Sequence, residues 1–191
     1  MNRALAAAGW GYVALCGLLL ASPPRAALTG EPTSPTAPFR GDGGAWFARI
    51  KPFCNAVEVD VQQRQLPPPP GTNGAGYAAA CYALAGKIDK ARTTVDALPA
   101  GDRAQAAGIV FEVGHPVADA GDDASAGPIM RLVVEYQPEN YMALYHAGIS
   151  EYMLGHLDYA RTHLERFLQL YQPEDGWRGN AREVLGRIAG Q

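Results

Sequence analysis

The side chains that could do chemistry are concentrated in residues 112–125. Six polar or titratable residues fall in this stretch: Glu112, His115, Asp119, Asp122, Asp123 and Ser125. Carboxylate oxygens suit Ca²⁺, and an imidazole nitrogen suits softer ions such as Zn²⁺. The five titratable residues, Glu112, His115, Asp119, Asp122 and Asp123, are therefore one candidate set of metal ligands. They match no calcium loop, because the sequence DAGDDASAG lacks the alternating ligands that such a loop requires.

A second interpretation of the same stretch is structural. Asp122 or Asp123, together with Ser125, precedes a predicted helix that begins near Ala126, with Pro128 in its first turn. Short polar side chains in this position cap helix N-termini by accepting hydrogen bonds from free backbone N–H groups. The sequence leaves both interpretations open.

Catalysis by a serine–histidine–aspartate set would use Ser125 or Ser150. The G-x-S-x-G turn that presents such a nucleophile does not occur in the sequence. His146, His156 and His163 lack the spacing of four residues that places two zinc ligands on one helix face, which favours surface or turn positions for them. We therefore expect no catalytic residue, no cofactor and a protein that is not an enzyme.

The elements that position these residues begin after an N-terminal leader. Arg3 supplies a positive charge, and residues 4–21 are uncharged, which is typical of a signal peptide or membrane anchor. The stretch is at the lower length limit for crossing a bilayer, so residues 1–21 are either cleaved or retained. Both alternatives predict an exported protein of a bacterial-type envelope, either periplasmic or held at the inner membrane through residues 4–21.

Residues 22–44 contain five prolines and little to bury, which predicts a disordered linker. The remaining residues, 45–191, are enough for one helical domain. The formal net charge of the chain is −3, so no basic surface for nucleic acid is expected.

The three cysteines divide between leader and domain. Cys16 lies in the leader, which leaves Cys54 and Cys81 as an even number in an exported domain. A bridge between them would stabilise the fold by about 3–4 kcal/mol through loop closure. The alternative is two buried free thiols.

Apolar residues from Trp46 onward recur at spacings of three and four, which predicts an all-α fold. Pro52 must kink or restart the first helix. The run VEVDV at 57–61 also alternates like a strand, so this first element is ambiguous.

A fixed period runs through the helical part. Gly86, Gly121 and Gly155 lie 35 and 34 residues apart, and an alanine follows each glycine five residues later. Small residues also recur before each of these alanines, at Ala79, Gly114 and Gly148. Tight turns favour glycine, and two helices approach closely only at small side chains, so the period predicts three stacked helical hairpins.

These residues resemble the tetratricopeptide repeat (TPR), a helix–turn–helix unit of 34 residues. The third copy, YMALYHAGISEYMLGHLDYARTHLERFLQLYQP at 141–173, matches best, with Leu144, Gly148, Gly155, Ala160 and Phe167 at repeat positions. Glu151 stands where an aromatic residue is usual. The resemblance implies a short α-solenoid with repeats at 72–105, 107–140 and 141–174, an extra N-terminal helix, and a capping helix at 176–190. In the middle copy, Pro116 and Pro128 predict a long irregular loop between shortened helices.

The resemblance also implies a binding face on the first helices of the repeats. The residues it places there are Phe111, His115, Met142, Tyr145, Ile149 and Tyr152. Tyrosine and methionine suit a peptide groove, although an aromatic stripe at helical spacing is equally typical of a core. The sequence thus predicts a non-catalytic module that binds an unidentified protein or peptide on the concave face. The alternative is an envelope ligand- or metal-binding protein that uses the loop 112–125.

Overall fold

Helices form nearly all of the regular structure in residues 39–190, the part of the chain that the computed structural model describes. Within this range the chain forms nine α-helices and no β-strand, which confirms the all-α prediction. The predicted leader, 1–21, and most of the predicted linker lie outside the described residues. None of the helices in residues 39–190 combines the length and apolar character that a membrane crossing requires.

The N-terminal segment consists of two short helices, α1 (Gly43–Ile50) and α2 (Val59–Gln65). The Asp42 side chain caps α1 by accepting a hydrogen bond of 2.7 Å from the backbone N–H of Ala45. Pro52 lies in the first part of a short 3₁₀ turn, Lys51–Phe53, that follows α1, a position that suits a residue with no N–H and a fixed φ. The VEVDV run enters α2 and forms no strand.

The rest of the described chain forms three helical hairpins and a final helix. The first hairpin is α3 (Thr72–Leu84) with α4 (Ile88–Asp96), and the second is α5 (Ala100–Asp119) with α6 (Asp123–Tyr136). The third is α7 (Tyr141–Met153) with α8 (Leu157–Leu170), and α9 (Gly176–Ala189) packs against both of its helices. Successive hairpins are in contact, through α3 with α5 and through α6 with α7.

The three hairpin turns share one backbone conformation. Gly86, Gly121 and Gly155 have φ of 72°, 79° and 81°, the left-handed region that glycine enters without steric cost. After each glycine, the next backbone N–H donates to a carbonyl five residues earlier in the first helix, at 2.8–3.3 Å. This is the Schellman ending of a helix, and it explains why the glycines recur at a fixed period.

Small residues set the distance between the two helices of a hairpin. A Cβ at Gly114 would lie 2.6 Å from Cγ2 of Ile129, and one at Gly148 would lie 2.7 Å from Cγ of Leu164. The repeated alanines of the second helices, Ala91, Ala126 and Ala160, are all buried. The recurrent small residues therefore permit the close helix contacts that the period predicted.

The middle hairpin corrects one expectation. The predicted irregular loop is absent from the described structure, because α5 continues through Pro116 and α6 contains Pro128. Each proline leaves the carbonyl four residues earlier without its helical donor, at Glu112 and Ala124. Both of these residues are exposed to solvent, so water can satisfy the carbonyls.

A disulfide joins Cys54, just after the 3₁₀ turn, to Cys81 in α3. It holds the N-terminal segment against the first hairpin. Trp46 is fully buried in the same place, and its indole N–H donates a hydrogen bond of 2.9 Å to the Leu66 carbonyl. Of the two states that the sequence allowed for these cysteines, the structure contains the bridge.

Candidate functional site

Two histidines and one aspartate meet between the second and third hairpins. His115 and Asp119 lie one turn apart near the end of α5, and His146 lies in the middle of α7. Nε2 of His115 is 3.0 Å from Nε2 of His146, and Oδ1 of Asp119 is 3.5 and 3.6 Å from these two nitrogens. We call these three residues the His–Asp–His cluster.

Aromatic rings hold both imidazoles in place. The His115 ring stacks on Phe111, one turn earlier in α5, with 4.8 Å between centroids. The His146 ring meets Tyr145 and Trp177 edge to face, at 5.2 and 5.7 Å. Side chains packed in this way keep their rotamers, so the donor atoms stay close together.

The cluster spans the boundary between core and solvent. The His146 side chain is 5% exposed, whereas that of Asp119 is 49% exposed. Burial lowers the pKa of His146 to about 4, nearby His115 adds to the shift, and Asp119 opposes it. At neutral pH the His146 imidazole is therefore uncharged, the form in which a ring nitrogen can accept a proton or bind a metal.

The cluster differs from the metal set that the sequence suggested. Of that set it contains His115 and Asp119, and among the described residues no other group brings three potential metal ligands together. Glu112 is exposed on α5. Asp122 accepts a hydrogen bond of 3.1 Å from the backbone N–H of Ser125, so it caps α6 as the structural interpretation proposed. Burial, followed by the charge of Asp122, raises the pKa of Asp123.

His146 is the member of the His–Asp–His cluster that the sequence does not reveal. Its expected position was at the surface or in a turn, whereas it is buried in α7. His115 and His146 are 31 residues apart, so no local spacing on one helix connects them. The glycine period predicts that successive hairpins stack, but it does not say which side chains of two neighbouring hairpins meet.

An open groove of about 640 Å³ lies beside the cluster, between α5 and the start of α7. Its lining includes two residues of the predicted binding face, Phe111 and Met142. The other lining residues are Ala104, Tyr136, Gln137, Pro138, Glu139, Asn140 and Tyr141. The Gln137 side chain donates a hydrogen bond of 2.7 Å to the Ala104 carbonyl, which joins the α6–α7 connection to α5. We call this feature the α5–α7 groove.

The other residues of the predicted face lie in or against the core. Tyr145 is 6% exposed, and its hydroxyl accepts a hydrogen bond of 2.6 Å from the Asn180 side chain on α9. Ile149 and Tyr152 are partly buried against the core that the third hairpin forms with α9. These three side chains join α7 to its neighbours, and His115 belongs to the His–Asp–His cluster.

The serines do not form a nucleophile with a histidine. Ser150 Oγ donates a hydrogen bond of 2.6 Å to the backbone carbonyl of Asp123, which ties α7 to the start of α6. The side chain of Ser125 is exposed, and its backbone N–H is held by Asp122.

Comparison of the chain with protein-family models, with curated proteins and with solved structures gives no match.

Proposed function

We propose that the chain is an exported, TPR-like interaction module that binds a protein or peptide partner in the α5–α7 groove. The observation that carries this proposal is that Phe111 and Met142, from two successive hairpins, line one open groove. Repeat proteins of this architecture present extended binding surfaces on the first helices of their units.

The chemistry of the groove suits a peptide segment with a large apolar side chain. Phe111, Tyr136 and Tyr141 supply aromatic surface, and Met142 supplies a side chain that adapts its shape. The Asn140 side chain donates a hydrogen bond of 2.9 Å to the Gln137 side chain. These amide groups therefore stabilise the groove wall and are already paired within the protein. Recognition in this groove is therefore mainly apolar.

The repeat assignment is part of the same proposal. Three equivalent glycine turns, three buried alanines and one period support a TPR-like array. The Cys54–Cys81 disulfide supports an extracytoplasmic location, because such bonds persist in oxidising compartments.

The test is capture of partners from envelope extracts with matched variants of the full chain. Met142→Glu places a charge in the groove, whereas Tyr159→Glu places one on α8 at an exposed position that does not line the groove. We expect Met142→Glu to weaken capture of a specific partner at least about tenfold, the effect of losing one hot-spot contact, while Tyr159→Glu captures like wild type.

Circular dichroism must show equal helicity in all three proteins. An identical set of captured proteins for wild type and Met142→Glu would contradict the groove as the binding site.

A further inference from the structure

We propose that His115, Asp119 and His146 bind one divalent transition-metal ion, with Zn²⁺ as the ion that fits best. This inference is independent of the proposed partner groove. It differs from a metal site in the 112–125 stretch, because it requires a ligand from α7 and does not use Glu112, Asp122 or Asp123.

The donor atoms of the His–Asp–His cluster have the spacing of zinc ligands. Ligands that lie about 2.0–2.1 Å from a tetrahedral Zn²⁺ are about 3.3–3.4 Å from one another. In the His–Asp–His cluster the three separations are 3.0, 3.5 and 3.6 Å, on both sides of this value. The nearest point equidistant from the three atoms lies in their plane, about 2.0 Å from each, so a tetrahedral ion slightly out of this plane would have bonds of about 2.0–2.1 Å, which are zinc–ligand lengths.

The chemistry of the three donors also suits Zn²⁺. Two imidazole nitrogens and one carboxylate oxygen suit Zn²⁺ and its first-row neighbours, whereas Ca²⁺ and Mg²⁺ require mainly oxygen ligands. Three protein ligands leave the fourth position of a tetrahedral ion for water or for a group from a partner. Asp119 is half-exposed, so solvent reaches the cluster from its side.

The three ligands come from helices that packing already fixes in place. His115 and Asp119 lie four residues apart on one helix, the spacing that brings two ligands to the same helix face. α6, which precedes α7, packs against both α5 and α7, and Phe111 and Trp177 pack on the two imidazoles. A metal ion therefore meets donors that are arranged before it binds.

The alternative is a hydrogen bond between the two imidazoles with no metal, since their nitrogens are at hydrogen-bond distance. The experiment separates these cases by titrating Zn²⁺ into the untagged, chelator-treated full chain at neutral pH in a calorimeter. We expect saturable binding of one Zn²⁺ per chain and none of Ca²⁺ or Mg²⁺ at the same concentrations.

The variants His115→Gln and Asp119→Asn each remove one ligand from a partly exposed position. We expect each to weaken Zn²⁺ binding by more than about 10–100-fold, the loss typical of changing even an outer-shell residue. Glu112→Gln is the matched control, because Glu112 is exposed on the same helix and outside the cluster. It should bind Zn²⁺ like wild type.

Visible absorption of bound Co²⁺ provides a second measurement that is independent of calorimetry. The wild type should give the visible absorption of tetrahedral Co²⁺, and Asp119→Asn should not. No saturable Zn²⁺ binding, or binding that His115→Gln and Asp119→Asn leave unchanged, would overturn the proposal. Helicity by circular dichroism confirms that each variant is folded.

Discussion

At position 151 the chain carries a glutamate in the interior of the third hairpin. Its side chain is 2% exposed, forms an ion pair with Arg131 on α6, and accepts a hydrogen bond of 2.6 Å from His156 Nδ1. A buried carboxylate without partners is destabilising, so these two side chains compensate for the burial of the Glu151 charge. The contact also joins α7 to both the preceding helix and the following turn.

The two residues of this ion pair differ in solvent exposure, so we expect their substitutions to lower the free energy of unfolding by different amounts. Arg131→Met leaves a buried carboxylate with one partner and should lower the free energy of unfolding by about 2–3 kcal/mol. Glu151→Gln should cost about 1 kcal/mol or less, because the Arg131 and His156 side chains, 41% and 54% exposed, can be hydrated instead. Urea denaturation of both variants measures the difference. If both variants lowered the free energy of unfolding equally, the burial of the Glu151 carboxylate would not depend on its ion pair with Arg131.

The candidate site shows which functional residues can be predicted from a single sequence and which cannot. The sequence indicates His115 and Asp119 because they lie in residues 112–125, where titratable side chains are concentrated. The sequence does not indicate His146, because a search for ligand pairs four residues apart on one helix cannot find a partner that is 31 residues away on another helix. Tyr145 shows the opposite case, since its tyrosine type suggested a groove and its tertiary contacts placed it in the core.

At the scale of helices, replacing a glycine by alanine has opposite effects on stability at two different positions. Gly148 in α7 has no room for a methyl group beside Leu164, whereas nothing lies within 4 Å of a Cβ at Gly186 in α9. Gly148→Ala should therefore lower the free energy of unfolding by about 1–3 kcal/mol through overpacking. Gly186→Ala should raise it by about 0.5–1 kcal/mol, because alanine is the better helix former. Chemical denaturation measures both, and a stabilising Gly148→Ala would contradict the close approach of α7 and α8.

The helices themselves were largely predictable from apolar spacing and from the glycine period. The extent of α5 was not, because Pro116 suggested a break that the structure does not contain. A proline breaks a helix when it leaves a carbonyl without a partner, and a carbonyl at an exposed position finds that partner in water. Whether the position is exposed depends on the tertiary packing, which no local pattern in the sequence contains.

At the scale of the whole molecule, the stacking of hairpins buries apolar faces that a single hairpin would leave exposed. Each pair of helices leaves an apolar face that the next pair must cover, so stability grows from contacts between neighbours. The period made this order of stacking predictable. The positions where two hairpins leave a groove or bring side chains together, as at His115 and His146, depend on how neighbouring helices pack and were not predictable.

The disulfide connects the N-terminal segment to this array, and it gives a prediction for the whole chain. The bond closes a loop with a sequence separation of 27 residues, so the double variant Cys54→Ser, Cys81→Ser should lose about 3–4 kcal/mol of unfolding free energy. Addition of reductant should lower the thermal midpoint of the wild type and leave that of the double variant unchanged. Cys16→Ser is the control, since Cys16 falls in the predicted leader and outside the disulfide.

The same bond tests the predicted compartment. In protein isolated from envelopes and alkylated without reductant, mass spectrometry should find Cys54 and Cys81 unlabelled, because an oxidising compartment keeps the bond formed. Chain expressed without residues 1–21 should remain in the reducing cytoplasm and carry label on both thiols. If both thiols of the full-length chain were labelled, the bond would be absent in the cell, and the inference of export from cysteine usage would be wrong.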